Sequence, residues 1–146
     1  MDFSLSAIGI SVEALRRHEG FRAEMYKCPA GYWTIGYGHN LEHRAISKEV
    51  ADLMLFQAVE DTVKELNRRL PFFSSLDNVR QSVLINMGFN LGVNGLLKFR
   101  KMIDALEEKN YDLAAHEMLD SKWATQVGSR ATELAFMMKA GANEAS

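Results

Sequence analysis

The chain reads as α+β and mostly helical, and three observations carry that reading. Two β-prone runs flank Pro29-Ala30-Gly31, an unbroken helical periodicity of about 24 residues ends at Pro71, and helical spacing resumes from Asp77 to Gly141. Taken in order, Ser11 is placed to cap a short helix containing Val12, Leu15 and Arg16, which Gly20 can stop. Residues 24 to 39 then predict a small hairpin, because Tyr32-Trp33-Thr34-Ile35 is aromatic and β-branched and follows directly on the Pro-Ala-Gly turn. The connection from Asn40 to Ile46 is short and polar. Ser47 can cap the long helix, whose apolar positions Val50, Met54, Ala58, Val63, Leu66 and Leu70 recur at helical spacing. At about 1.5 Å per residue such a rod is near 36 Å long, enough to join two lobes. Asp77 can cap the next helix, with Val79, Val83, Leu84 and Met87 on its buried face and Gly92 at its end. Further helices are expected at about 95 to 108, 111 to 121 and 130 to 140, with Gly141 ending the last.

Length and composition bound the possibilities. At 146 residues the chain suits one domain, 1 to 146, large enough to bury a core without staples. Hydrophobic content of 47% with 25% charged residues argues against disorder or a fibrous repeat. A single cysteine, Cys28, excludes an internal disulfide framework and a multi-cysteine zinc site. A net charge of −2 gives no global reason to expect nucleic-acid or membrane binding; Arg16, Arg17 and Arg22 flank Glu19 and read first as solvated helix charges, with a local basic patch as the alternative. The opening MDFSLSAIGIS lacks a basic n-region and a sustained apolar run, so no signal peptide is expected, and no stretch reaches the length of a spanning helix.

The chemistry concentrates in residues 18 to 39, HEGFRAEMYKCPAGYWTIGYGH. Glu19 falls in the last turn of the first helix. There the negative end of the helix dipole and nearby aromatics such as Phe21 favour a protonated carboxyl, a general acid, although a Glu before Gly is also an ordinary helix end. Cys28 has three readings: a thiolate that activates water or attacks carbon, a thiol that contacts substrate, or a packing residue under the turn. Thr34 can orient water through its hydroxyl or simply serve β-propensity. Glu24 is a second carboxylate nearby, better read as a solvated strand-end charge. His18, His39 and His43 lack metal-site spacing, so no metal is expected. His39 is expected instead to fix the hairpin by a hydrogen bond. Asn86 and Asn90, four residues apart, share a helix face from which their amides can bind acetamido groups or cap structure. Trp123 and the eight methionines are read as packing.

The segment from Glu19 to His39, with Ser75-Leu76-Asp77, Ile85-Asn86-Met87, Phe89, Ser121-Lys122-Trp123 and Arg130 in the same order, resembles the phage-type lysozymes and endolysins of glycoside hydrolase family 24. The resemblance spans roughly residues 10 to 141. It implies a lysozyme-like fold: a small β-hairpin lobe at about 18 to 46, an interlobe helix at about 47 to 70, and a helical lobe at about 71 to 141 that includes the N-terminal helix. Against that pattern, the short polar connection from Asn40 to Ile46 suggests a β-region smaller than that of T-even members. Carried over position by position, Glu19 matches the catalytic Glu and Thr34 the catalytic Thr. Cys28 stands where T-even members carry Asp, and Cys28-Pro29-Ala30-Gly31 is similar to a Cys-Xaa-Ala-Gly turn of related endolysins. Asn86, Asn90, Gln126 and Arg130 become substrate-binding residues, Arg130 matching an arginine expected near the catalytic Glu.

The implied activity is hydrolysis of the β-1,4 bond between N-acetylmuramic acid and N-acetylglucosamine in bacterial peptidoglycan, with no cofactor. The alternatives are a lytic transglycosylase acting on the same bond and a non-catalytic peptidoglycan-binding module. The implied setting is the cytoplasm of an infected bacterium until a holin opens the membrane, and a monomer is expected.

Overall fold

The computed structural model describes the backbone of residues 6–145 and side chains through Ala142. The opening residues 1–5, part of the stretch read for an export signal, lie outside the described residues. Contacts divide the chain into two units, one of residues up to Ala51 and one from Asp52 onward. The described elements run α1 (Ala7–Glu19), β1 (Arg22–Lys27), β2 (Trp33–Gly36), β3 (His39–Asn40), α2 (Lys48–Arg69), a 3-10 turn (Phe73–Ser75), α3 (Asn78–Leu91), α4 (Val93–Leu96), α5 (Arg100–Glu107), α6 (Tyr111–Leu119), α7 (Lys122–Val127) and α8 (Ser129–Ala145). The α+β, mostly helical class expected from the sequence is the observed one. No helix among the described residues is long and apolar enough to cross a membrane.

In the first unit, α1 begins earlier than the Ser11 cap suggested. Ser6 is the N-cap and its hydroxyl accepts the Gly9 N–H at 3.0 Å. Either serine satisfies the local capping preference, and Ala7 to Ile10 simply continue the helix N-terminally. At the other end Gly20 adopts φ 69° and donates its N–H to the Arg16 carbonyl, stopping the helix where the sequence placed the stop. The β-region is three-stranded in the order β1-β2-β3, all antiparallel, because a two-residue third strand adds to the expected hairpin. Tyr26, Thr34 and Asn40 lie side by side across the three strands and so share a sheet face.

The second unit holds the hydrophobic core. Leu66, Phe73, Val83, Leu84, Met87, Leu96, Met102, Leu106, Met118 and Met138 are buried in it, with Trp123 beside them. Half of the protein's eight methionines are thus packing residues, filling gaps between short helices. Helix α2 opens with the Ser47 hydroxyl accepting the Val50 N–H, and Asp77 caps α3 by accepting the Arg80 N–H at 3.1 Å. The helix expected at 95–108 is two helices: after Leu97 donates to the Val93 carbonyl, Lys98 and Phe99 donate to the Gly95 and Leu96 carbonyls in tightened turns, and α5 restarts at Arg100. Helix α7 had not been anticipated. Its six residues are too few to show a period, and the Ser121 hydroxyl accepting the Ala124 N–H starts it.

The end of α8 is clamped to the start of α3. Arg80 donates to the Met138 carbonyl (2.6 Å), the Lys139 carbonyl (2.7 Å) and the Asp77 carboxylate (3.0 Å), and its guanidinium lies 3.5 Å from the Tyr111 ring centroid. These bonds satisfy carbonyls that a helix end leaves open. Partial burial opposes ionisation of Asp77, but the Arg80 N–H and guanidinium outweigh it and hold the carboxyl below its ordinary value. Gly141 interrupts α8 at φ 69°.

Candidate active site

The sequence-derived residues fall into two groups. Glu19, Cys28, Thr34 and His39 belong to the first unit, whereas Asn86, Asn90, Gln126 and Arg130 belong to the second.

In the first group, β2 supplies Thr34, which is buried to 3% exposure while its neighbour Trp33 faces outward. Strand alternation produces this contrast. The Thr34 hydroxyl donates to the Tyr32 carbonyl at 2.9 Å and also lies within hydrogen-bonding reach of the Cys28 sulfur. A hydroxyl has one proton, so it can serve only one of these acceptors at a time. Cys28 is half-buried at the head of the Pro-Ala-Gly turn, which is closed by the Gly31 N–H donating to the Cys28 carbonyl and the Cys28 N–H donating to the Tyr32 carbonyl. The Tyr32 backbone amide chiefly holds the thiol below its ordinary value. Partial burial opposes it, and the Ala30 amide, Thr34 hydroxyl and Gly31 amide add to the lowering. The turn thus places several hydrogen-bond donors around one sulfur, and together they lower the Cys28 thiol from its ordinary value.

Glu19 ends α1, and its carboxyl lies against the turn between β2 and β3. A Cβ placed on Gly38 would stand 2.6 Å from Glu19 Oε2 and 2.8 Å from its Cδ. The aromatic withdrawal from water expected of Phe21 is not realised: Glu19 is exposed, and Phe21 is 65% exposed with its ring 5.6 Å from that of Tyr37. His39 Nε2 lies 3.1 Å from the Arg44 carbonyl and ties β3 to the loop before α2. Two further anchors were not singled out from the sequence. The Glu42 carboxylate accepts the Trp33 N–H at 2.6 Å, and the Asn40 side chain accepts the N–H groups of Glu42 and His43. An Asx turn after a strand was the available signal for Asn40.

In the second group, the Asn86 Oδ1 accepts two bonds from Arg130, at 2.9 and 2.7 Å, and the Asn90 Oδ1 accepts the Trp123 Nε1–H at 2.9 Å. Arginine and indole can only donate, so both amide orientations follow from the partners. Each Asn consequently has its oxygen engaged and its NH₂ turned elsewhere. Gln126 and Trp123 line a cavity of about 790 Å³, together with Phe99, Lys98, Lys101 and Lys122.

Residues 16–137 match the family model described as phage lysozyme. The chain belongs to the phage lysozyme family. It is similar to probable T4-type lysozyme 1 of Dictyostelium discoideum, at 30% identity over 159 aligned positions that cover 88% of this chain and 93% of that protein. It is also similar to the endolysin of Acyrthosiphon pisum secondary endosymbiont phage 1, at 28% identity covering 86% and 85% of the two chains. A third relative is the pre-baseplate central spike protein Gp5 of Enterobacteria phage T4, at 27% identity covering 88% of this chain and 27% of that protein. The alignment to the Dictyostelium protein is longer than the 146 residues of this chain, so the relative carries segments that this lysozyme lacks. Family membership makes the protein a lysozyme, a peptidoglycan hydrolase, and the matched region contains Glu19, Cys28 and Thr34.

Proposed function

We propose that this lysozyme is an endolysin muramidase that hydrolyses the β-1,4 bond between N-acetylmuramic acid and N-acetylglucosamine, with Glu19 as proton donor and Cys28 and Thr34 as the pair that handles water. The observation that carries the proposal is the pairing of Cys28 with Thr34 in a donor-lined turn, on the same small sheet whose next turn receives the Glu19 carboxyl. Glu19 protonates the glycosidic oxygen as its bond to C1 breaks, so the bonding electrons leave with a neutral hydroxyl. A water held by the Thr34 hydroxyl adds to the oxocarbenium-like C1, and the Cys28 thiolate accepts the proton that water releases. Exchange with solvent then returns Cys28 and Glu19 to their starting states. A carboxylate is the usual second group in glycoside hydrolysis, and a thiolate stabilised by backbone amides is a chemically reasonable acceptor in its place.

Asn86 and Asn90 present their NH₂ groups to sugar acetamido carbonyls, with Arg130 and Trp123 fixing the direction of each amide, and Gln126 extends this polar row. In its biological setting the enzyme acts as a monomer that collects in the cytoplasm of an infected bacterium until a holin-type lesion admits it to the wall, and wall cleavage lyses the host. The test is digestion of purified peptidoglycan followed by mass analysis of the fragments. Reducing N-acetylmuramic acid ends are expected. Reducing N-acetylglucosamine ends would place the cut at the other glycosidic bond. Anhydro ends would assign the transglycosylase reaction, a reading favoured by the thiol at the position where a second carboxylate would serve water. Wall binding without cleavage would exclude both enzymes.

A further inference from the structure

We propose that Gly38 is a positioning residue for the proton donor: the absence of a side chain at this turn is what allows the Glu19 carboxyl to stand where it does. This inference rests on Glu19 being the catalytic acid. Two glycines here have positive φ, Gly36 at the end of β2 at 68° and Gly38 in the β2–β3 turn at 71°. Their backbones therefore demand glycine for the same conformational reason. Their surroundings differ. A Cβ on Gly36 would meet nothing within 4 Å, whereas a Cβ on Gly38 would stand 2.6 Å from Glu19 Oε2, 2.8 Å from Cδ and 3.2 Å from Cγ.

Relieving such a contact adds little to the strain of the positive φ itself, because the overlapping atoms are the far end of a rotatable side chain. Glu19 would swing aside and the turn would stay. The carboxyl would then leave its place, and displacement of a catalytic group by about 1 Å can cost on the order of 100-fold in rate. Gly36 and Gly38 thus form a matched pair in which backbone strain is shared and only one contact differs.

The experiment compares Gly36→Ala, Gly38→Ala and Glu19→Gln on soluble peptidoglycan fragments and measures kcat, KM and melting temperature. Gly36→Ala and Gly38→Ala should lower the melting temperature by similar amounts. Gly38→Ala should lower kcat by about 10- to 100-fold with KM little changed, while Gly36→Ala stays within about three-fold of the parent. Gly38→Asn retains a Cβ but tolerates positive φ, so it should fold well and still lose turnover. In a Glu19→Asp background the shorter side chain avoids the added Cβ, and the Gly38→Ala penalty should shrink. Equal kcat in the two alanine variants, with Glu19→Gln inactive, would overturn the role of Gly38 and leave Glu19 as the acid. An active Glu19→Gln enzyme would overturn both.

Discussion

Gly38 in the sheet unit and Gly141 in the helical unit occupy the same backbone region, at φ 71° and 69°, and each lies against a charged head group. A Cβ on Gly141 would stand 2.5 Å from Arg80 Nη1, much as one on Gly38 would stand 2.6 Å from Glu19 Oε2. The neighbours respond differently. Arg80 is fixed by two carbonyls, a carboxylate and an aromatic ring, so it has nowhere to go. Among the described residues of its own unit, nothing holds the Glu19 carboxyl by a hydrogen bond or ion pair. One glycine therefore borders a structural clamp and the other leaves room for a movable carboxyl. The comparison teaches that residues alike in conformation differ in consequence according to how firmly their neighbours are held, with stability at stake at Gly141 and, in the proposed mechanism, turnover at Gly38.

The strongest test of this division is Glu19→Gln, which keeps the shape of the side chain and removes its proton. Activity on peptidoglycan should fall by about 10² to 10⁴ while the melting temperature is unchanged. Next in size is Gly141→Ala. It should cost roughly 2–4 kcal/mol of stability in denaturant unfolding, because positive φ and a pinned guanidinium add together, and the folded fraction should keep its turnover. A stability loss no larger than that of Gly36→Ala would show that the Arg80 clamp can rearrange.

Cys28 sharpens the functional side. Cys28→Asp should remain active and Cys28→Ala should lose about ten-fold or more in kcat, within the usual range for a general base. The sign of the pH dependence follows from the amide cradle. Since the thiol is held low, the rise in activity that tracks its deprotonation should occur below the ordinary thiol range, and Cys28→Asp should move that rise lower still. Full activity in Cys28→Ala with an unchanged profile would make the thiol a packing residue.

The smallest effect belongs to Asp77→Asn, which keeps a good helix cap but weakens the bond to Arg80. A carboxyl depressed in the folded state contributes stability that is present above its unfolded value and lost as pH falls through its folded value. The variant should thus be less stable by up to about 1 kcal/mol near neutral pH, and the difference should vanish on acidification. A difference that persists in acid would assign the effect to packing.

Local signals accounted for much of what the sequence by itself determined. The Gly20 stop, the Ser47 and Asp77 caps, the long α2 and the β-prone runs around the Pro-Ala-Gly turn depend on residues within a few positions of one another, and each forms as the spacing implies. Glu19, Cys28 and Thr34 became candidates through the resemblance to the phage-type lysozymes, because the local pattern alone also gives each of them an ordinary structural reading. What only the tertiary structure decided are contacts between residues distant in the chain or hidden by an ambiguous local preference. Two serines could cap α1, and Ser6 does so. The six residues of α7 are too short for a period. Asn86 and Asn90 showed a shared face, but their partners Arg130 and Trp123 lie 44 and 33 residues away. Gly141 showed only a helix end, and Gly38 only a turn. That one faces Arg80 and the other Glu19 follows from chain crossings that no local periodicity encodes, because close approach depends on where two segments meet and not on what either prefers alone.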